Sequence, residues 1–260
     1  MIFFSKNSNG LLNYFIFVFV KKIILILLLI VSLTSQSQVL ITLLLGDKLN
    51  SDGLEFGLEG GINWSTISGL ETKSFDNHFN LGFYFDIRIK NQWFFYTGVL
   101  VKSSLGVTNL TNNDLKLLGA TQYVNLNRSI VEGVYRHKMS YFIVPMLIKY
   151  KLKNHFYTEL GPQVGLMYKS WIEFESDIDG KDAIVKEYNK EDINKIDAGF
   201  TAGIGYHLMK GTGWTIGLRY YYGLVDVYKS IKGTPNSSLF LKLNIPIGAG
   251  EKPKKEKNKE

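Results

Sequence analysis

The chain has 260 residues, of which 45% are hydrophobic and 14% aromatic, yet its mean hydropathy is zero. That balance excludes a bundle of membrane-spanning helices, which needs several long apolar runs, and fits a wall in which apolar and polar residues alternate. The lack of Cys excludes disulfide frameworks, zinc knuckles and thiol nucleophiles, and the formal charge of +7 gathers partly in the two ends, with no basic stripe of the kind that binds nucleic acid.

Near the start, Lys21-Lys22 precede an apolar run over residues 23–33, and Ser35 and Ser37 occupy the small-residue positions of a cleavage site. Together these describe a secretory signal peptide over 1–37. Residues 11–20 are apolar too, which leaves two alternatives. One is an uncleaved anchor over 11–33, with two adjacent lysines held at cost in mid-span. The other is a start codon placed too early. A second apolar run, 39–45, is too short to cross a bilayer as a helix, and 38–53 is read as a periplasmic N-terminal segment.

From residue 54 the chain breaks into period-2 segments separated by turn signals. They cover 54–64, 79–90, 93–104, 139–152, 156–168, 196–208, 214–225 and 238–247. In the second, Phe79, Leu81, Phe83, Phe85, Ile87 and Ile89 alternate with Asn80, Gly82, Tyr84, Asp86, Arg88 and Lys90. A helix would scatter those six apolar residues around its circumference, whereas a strand puts them on one side. Each segment is long enough for a tilted membrane strand, which takes roughly 9–11 residues, and the even number suits a single-chain bacterial barrel.

The connections alternate in length. Residues 91–92, 153–155 and 209–213 are short turns; 65–78, 105–138, 169–195 and 226–237 are long. The expectation is an all-β, eight-stranded antiparallel up-and-down transmembrane β-barrel over 54–248. Its short turns are periplasmic, its long loops extracellular, and both termini lie in the periplasm. Trp93, Phe94, Phe95, Tyr150, Phe156, Tyr157, Tyr206 and Trp214 flank the short turns as one aromatic girdle, and Trp64, Phe79, Tyr168, Trp171, Tyr221 and Tyr222 form the other. The charged residues Glu55, Glu59, Asp86, Arg88, Lys149, Glu159, Asp197, Arg219 and Lys242 are assigned to the interior beside inward glycines. Eight strands enclose only enough space for side chains, so these charges should pair across the lumen as a polar plug. Residues 249–260, nearly all Lys, Glu, Asn and Pro, are expected to form a disordered periplasmic tail.

Several stretches resemble the PorT-like outer-membrane β-barrel proteins of Bacteroidota. They are Phe56-Gly57-Leu58-Glu59-Gly60-Gly61-Ile62-Asn63, Ile143-Val144-Pro145-Met146-Leu147-Ile148-Lys149-Tyr150, the run from Asp197 through Gly203-Ile204-Gly205-Tyr206, and Arg219-Tyr220-Tyr221-Tyr222-Gly223-Leu224, with Leu160-Gly161-Pro162 between them. The resemblance covers about 54–247. It implies the barrel fold, the cell outer membrane and a link to protein secretion, and it implies no catalytic residues. One departure is that the chain continues past Ile247 into a charged tail, where many outer-membrane proteins end on an aromatic.

No catalytic, cofactor-binding or metal-ligating set is assigned, and no cofactor. His78, His137 and Ser140 near the long-loop rim would support a lipid- or peptide-acting enzyme only if they converged; the alternative is ordinary polar residues at loop ends. Asp177, Asp179 and Asp182 lack the remaining positions of a calcium loop and read as a solvated acidic loop. The expected role is a non-enzymatic structural, docking or binding element. Its partners are outer-membrane lipid and envelope or secretion-machinery proteins.

Overall fold

The computed structural model describes residues 53–247 apart from 126, 179–180 and 209–212. The leader over 1–37, most of the 38–53 segment and the 249–260 tail lie outside the described residues.

Among the described residues nine strands form one antiparallel sheet: β1 (Leu54–Ile67), β2 (Asp76–Lys90), β3 (Trp93–Thr108), β4 (Val134–Lys151), β5 (Phe156–Ile178), β6 (Lys181–Tyr188), β7 (Ile196–His207), β8 (Thr215–Asp226) and β9 (Pro235–Pro246). Eight of them close a ring. Sequence neighbours pair from β1 to β5, β5 then pairs with β7, and β9 returns to β1 from Gly57↔Pro246 to Ile67↔Asn236. The ring therefore has no free edge, which is what lets a sheet stand in hydrocarbon. Among the described residues no helix is long and apolar enough to cross a membrane.

The wall is inside-out relative to a water-soluble sheet. In β2, Asn80, Tyr84 and Asp86 are buried, while Phe79, Leu81, Phe83, Ile87 and Ile89 are exposed. In β7, Asp197 and Thr201 are buried while Ile196, Phe200 and Ile204 are exposed. Alternation places one set in the lumen and the other outside. The tight turn after β2 depends on Asn91, whose φ of 50° suits a short polar side chain. Two aromatic pairs mark the short-turn rim, Trp93 with Tyr150 and Phe156 with Tyr206, at ring separations of 4.8 and 4.9 Å. Phe142 with Tyr168 stands at the other. Three residues assigned to the girdles turn inward instead: Phe94, Tyr157 and Tyr221 are buried. Their positions match the lumen-facing phase of their strands, and that phase overrides proximity to a turn.

The long-loop end carries more order than a set of loops. The period-2 pattern predicts a loop over 169–195. Instead β5 runs on from the barrel, and β6 folds back on it with Ile178 opposite Lys181. The acidic stretch read as a solvated loop thus holds paired strand residues, with Asp177 opposite Asp182; Asp-Gly in the sequence is a strong turn signal between two strands. The long connection after β3 holds a helix, α1 (Asn112–Leu118), with Thr111 as N-cap in a capping box with Asp114. Asp114 also accepts the backbone N–H groups of Glu71 and Thr72 at 2.7 and 3.1 Å, which fastens the β1–β2 loop to the β3–β4 loop.

Inward glycines accommodate the large rings. A Cβ at Gly205 or Gly217 would run into the ring or hydroxyl of Tyr157. We expect Gly205→Val or Gly217→Val to cost about 1–3 kcal/mol through overpacking, read by urea unfolding in detergent micelles. Ala202→Val, on the outward face, should leave the midpoint unchanged.

Candidate functional site in the lumen

The charges enclosed by the wall form one connected cluster nearer the short-turn rim. Arg219 of β8 is 1% exposed. Its Nε donates to Glu159 Oε1 of β5 at 2.9 Å, and its Nη1 donates to Glu59 Oε1 of β1 at 3.2 Å. Lys242 Nζ of β9 lies 3.0 Å from Glu159 Oε1 and 3.1 Å from Oε2. Tyr96 donates its hydroxyl proton to Glu59, and Asn244 Nδ2 donates to Tyr96 at 3.0 Å. Below them Lys149 Nζ and Lys151 Nζ lie 3.1 and 2.9 Å from Asp86 Oδ2. The two groups are joined through aromatic faces: Lys149 and Lys242 sit 4.1 and 4.2 Å from the ring centre of Tyr96, and Lys149 sits 4.8 Å from that of Tyr157.

Of the nine residues assigned to the interior, Glu59, Asp86, Lys149, Glu159, Arg219 and Lys242 meet here. Glu55 stands at the edge and accepts the Tyr84 hydroxyl at 2.8 Å. Asp197 is buried further up the lumen, where Asn236 Nδ2 donates to it at 3.2 Å. Arg88 stands apart: it is exposed, 5.4 Å from the Phe94 ring centre. Residue 88 lies beside a register shift between Arg88 and Lys90, where the ladder is ending and alternation no longer forces a side chain inward. Lys151 and the tyrosines 96 and 157 complete the cluster and were not assigned to it. Their phase on β3, β4 and β5 was the signal available.

Above the ions the lumen changes character. Asn63, Asn80 and Ser103 form a small polar layer, with Ser103 Oγ donating to Asn80 Oδ1 at 2.6 Å. Over it lies an apolar core made of wall residues such as Leu105, Met139 and Ile172 with loop residues Leu70, Leu110, Leu115, Ile193 and Val227. The long loops thus fold into the mouth and close it.

The residues considered for catalysis do not converge. His78 Nε2 faces Asp76 Oδ2 at 3.2 Å, and Ser140 Oγ is 3.4 Å from Ser104 Oγ. His137, 0% exposed, meets Tyr228 Oη at 2.7 Å through Nδ1 and Ser170 Oγ at 3.0 Å through Nε2. Ser170 in turn donates to Asn189 Oδ1 at 2.7 Å. Burial raises the pKa of the Tyr228 phenol above its usual range, so it keeps its proton, and which partner donates follows the imidazole tautomer. This serine–histidine contact is enclosed: Ser170 is also 0% exposed. The contact ties β4 and β5 to the loops before β7 and after β8. Among the described residues no three metal-ligating groups cluster.

Arg219→Met would leave Glu59 without its guanidinium and Glu159 with Lys242 alone. We expect a loss of about 3–5 kcal/mol, the usual consequence of breaking a buried ion pair from one side. Urea titration in micelles, followed by the heat-modifiable gel shift of the folded barrel, measures it. Replacing the exposed Arg88 by Met should change little.

The family comparison agrees with this architecture. Residues 35–229 match the family model of the outer membrane protein beta-barrel domain. No curated protein matches the chain. Among solved structures, Ail, the attachment invasion locus protein of Yersinia pestis, is 11% identical, with a TM-score of 0.37 over 75% of this chain and 99% of that one. Neisserial surface protein A is 13% identical, with a TM-score of 0.36 over 75% and 99%. The outer membrane protein OprG from Pseudomonas aeruginosa is 12% identical, with a TM-score of 0.32 over 75% and 93%. The family match spans most of the chain, the eight-stranded ring is closed, and the protein belongs to the outer-membrane β-barrel domain family.

Proposed function

We propose that this chain is exported by a signal peptide over 1–37 and serves as a non-enzymatic docking or structural element of the outer membrane. In this reading the long-loop end faces outward and the short turns face the periplasm. The observation that carries it is the sealed lumen: an ionic cluster fills the lower part, and an apolar core of loop residues caps the upper part. An ion-conducting pore needs a continuous polar path, and a rim enzyme needs reactive groups open to substrate. A plugged barrel instead offers a rigid pedestal whose ends meet other molecules. The motif resemblance set out from the sequence supports the finer reading of a PorT-like member with partners in the secretion machinery.

Two measurements test it. In planar bilayers the purified full chain should give no sustained ohmic current; a steady conductance overturns the plugged lumen. An epitope inserted between Asn127 and Arg128 should be stained by antibody on intact cells. Staining only after the outer membrane is permeabilised overturns the orientation.

A further inference from the structure

On one side of the barrel the wall continues past the upper aromatic pair. A register shift between Ser140 and Tyr141 of β4 sets Tyr141 against Met167 and Ser140 against Lys169, which leaves Tyr168 as an extra residue on β5. Below that bulge the even-numbered residues of β5 face outward. Above it Ser170, Ile172 and Phe174 are buried, and the odd-numbered residues Trp171, Glu173 and Glu175 take the other face, where Lys138, Lys186 and Trp171 cover the Glu173 carboxylate to 5% exposure. Register then aligns rows across three strands: Lys138–Trp171–Tyr188, and next to it Arg136–Glu173–Lys186.

The outer face of this extension is a basic and aromatic platform. Lys138 Nζ and Lys186 Nζ lie 2.6 and 3.4 Å from the Glu173 carboxylate, whose other contact is the Trp171 indole N–H at 3.1 Å. Arg136 pairs with Glu175. Lys169 Nζ lies 5.0 Å from the Trp171 ring centre and 5.4 Å from that of Tyr188, and among the described residues no ion pair includes it. From Lys169 to Glu175 four cations thus face two carboxylates, and the exposed Asp177 follows further along β5. Tyr188 is 63% exposed. The platform is continuous with the lipid-facing wall, directly beyond the outward pair Phe142 and Tyr168. Side chains at that level stand where hydrocarbon gives way to headgroups, the zone in which Trp, Tyr and Lys anchor a protein and basic groups attract anionic lipid.

We infer that this face binds the phosphate of a glycolipid headgroup in the leaflet at the long-loop end, with Lys169 and Lys186 as the cations that meet it. Lys169 brings a charge that no carboxylate pairs with among the described residues, and Lys186 can turn from Glu173, which keeps Lys138. The inference rests on the outward orientation proposed above for the leaflet it names. The binding chemistry itself does not depend on which side of the membrane the platform occupies.

The test uses the full chain in detergent micelles, with bis-phosphorylated lipid A and its dephosphorylated form as probes, and native mass spectrometry to count retained lipid. The wild type should retain the phosphorylated form at least about fivefold more, and Lys169→Glu with Lys186→Glu should lower that retention by about tenfold or more. The double Arg variant at the same two positions should retain it. Reversal of Arg88 and Lys90 at the opposite rim should change it less than about twofold. Far-UV circular dichroism and the heat-modifiable gel shift establish that each variant is folded. Equal retention of the two lipids, or full retention by the folded Glu double variant, overturns the site. Displacement by millimolar inorganic phosphate overturns the lipid assignment in favour of a free anion. Micelles have no sidedness, so failure here is separate from failure of the epitope test.

Discussion

A guanidinium enclosed by a closed wall must find its counter-charges within its own layer, and Arg219 finds two. Glu59 comes from β1 and Glu159 from β5, positions on different sides of the ring. The ion therefore braces strands that do not pair with one another through the backbone. Lys242 and Tyr96 then use the remaining carboxylate oxygens. Desolvating this many charges is costly, and the cost is offset only when nearly every oxygen and ammonium has a partner. Inward glycines are the geometric condition for that arrangement. Gly205 and Gly217 leave room for the Tyr157 ring, whose face, with that of Tyr96, holds Lys149 and Lys242.

Much of this was legible in the sequence because a barrel wall has a simple grammar. Period-2 alternation sorts Asn80, Tyr84 and Asp86 from Phe79, Leu81 and Phe83, and the alternation of short and long connections marks the two ends. Six of the nine charges assigned to the interior meet in the cluster for that reason. The grammar fails where the ladder is irregular. Arg88 was assigned inward by counting along β2, yet the pairing slips beside it and the side chain turns out. The bulge at Tyr168 reverses the phase of β5, so counting on from below would turn Trp171 inward, although its place in the upper girdle has it outward. No composition rule announces such a bulge, since it depends on how β4 and β5 settle together.

The long-loop end shows a second kind of limit. Asp179-Gly180 is a turn signal and Thr111-Asn112-Asn113-Asp114 is a capping box, so the hairpin and α1 each had a local signature. The signatures were diluted by the polar residues around them, and each element is stable only through what it packs against. The cap could not be read at all. Leu70, Leu110, Ile193 and Val227 come from four separate connections, and a single apolar residue in a loop gives no hint of its companions.

Cap and platform are two faces of one construction. The inner side of the β4–β5–β6 extension presents Tyr135, Ile172 and Phe174 to the cap, where Tyr123 stacks on Phe174 with ring centres 4.9 Å apart. The outer side presents Lys138, Trp171, Tyr188 and Lys186. A hairpin standing alone in water would be marginal. This one is held from within by the apolar core and by the chain of contacts from Tyr228 through His137 and Ser170 to Asn189. The sealed mouth and the ordered outer surface therefore have the same cause: the residues that close the lumen are the ones that hold the platform in shape.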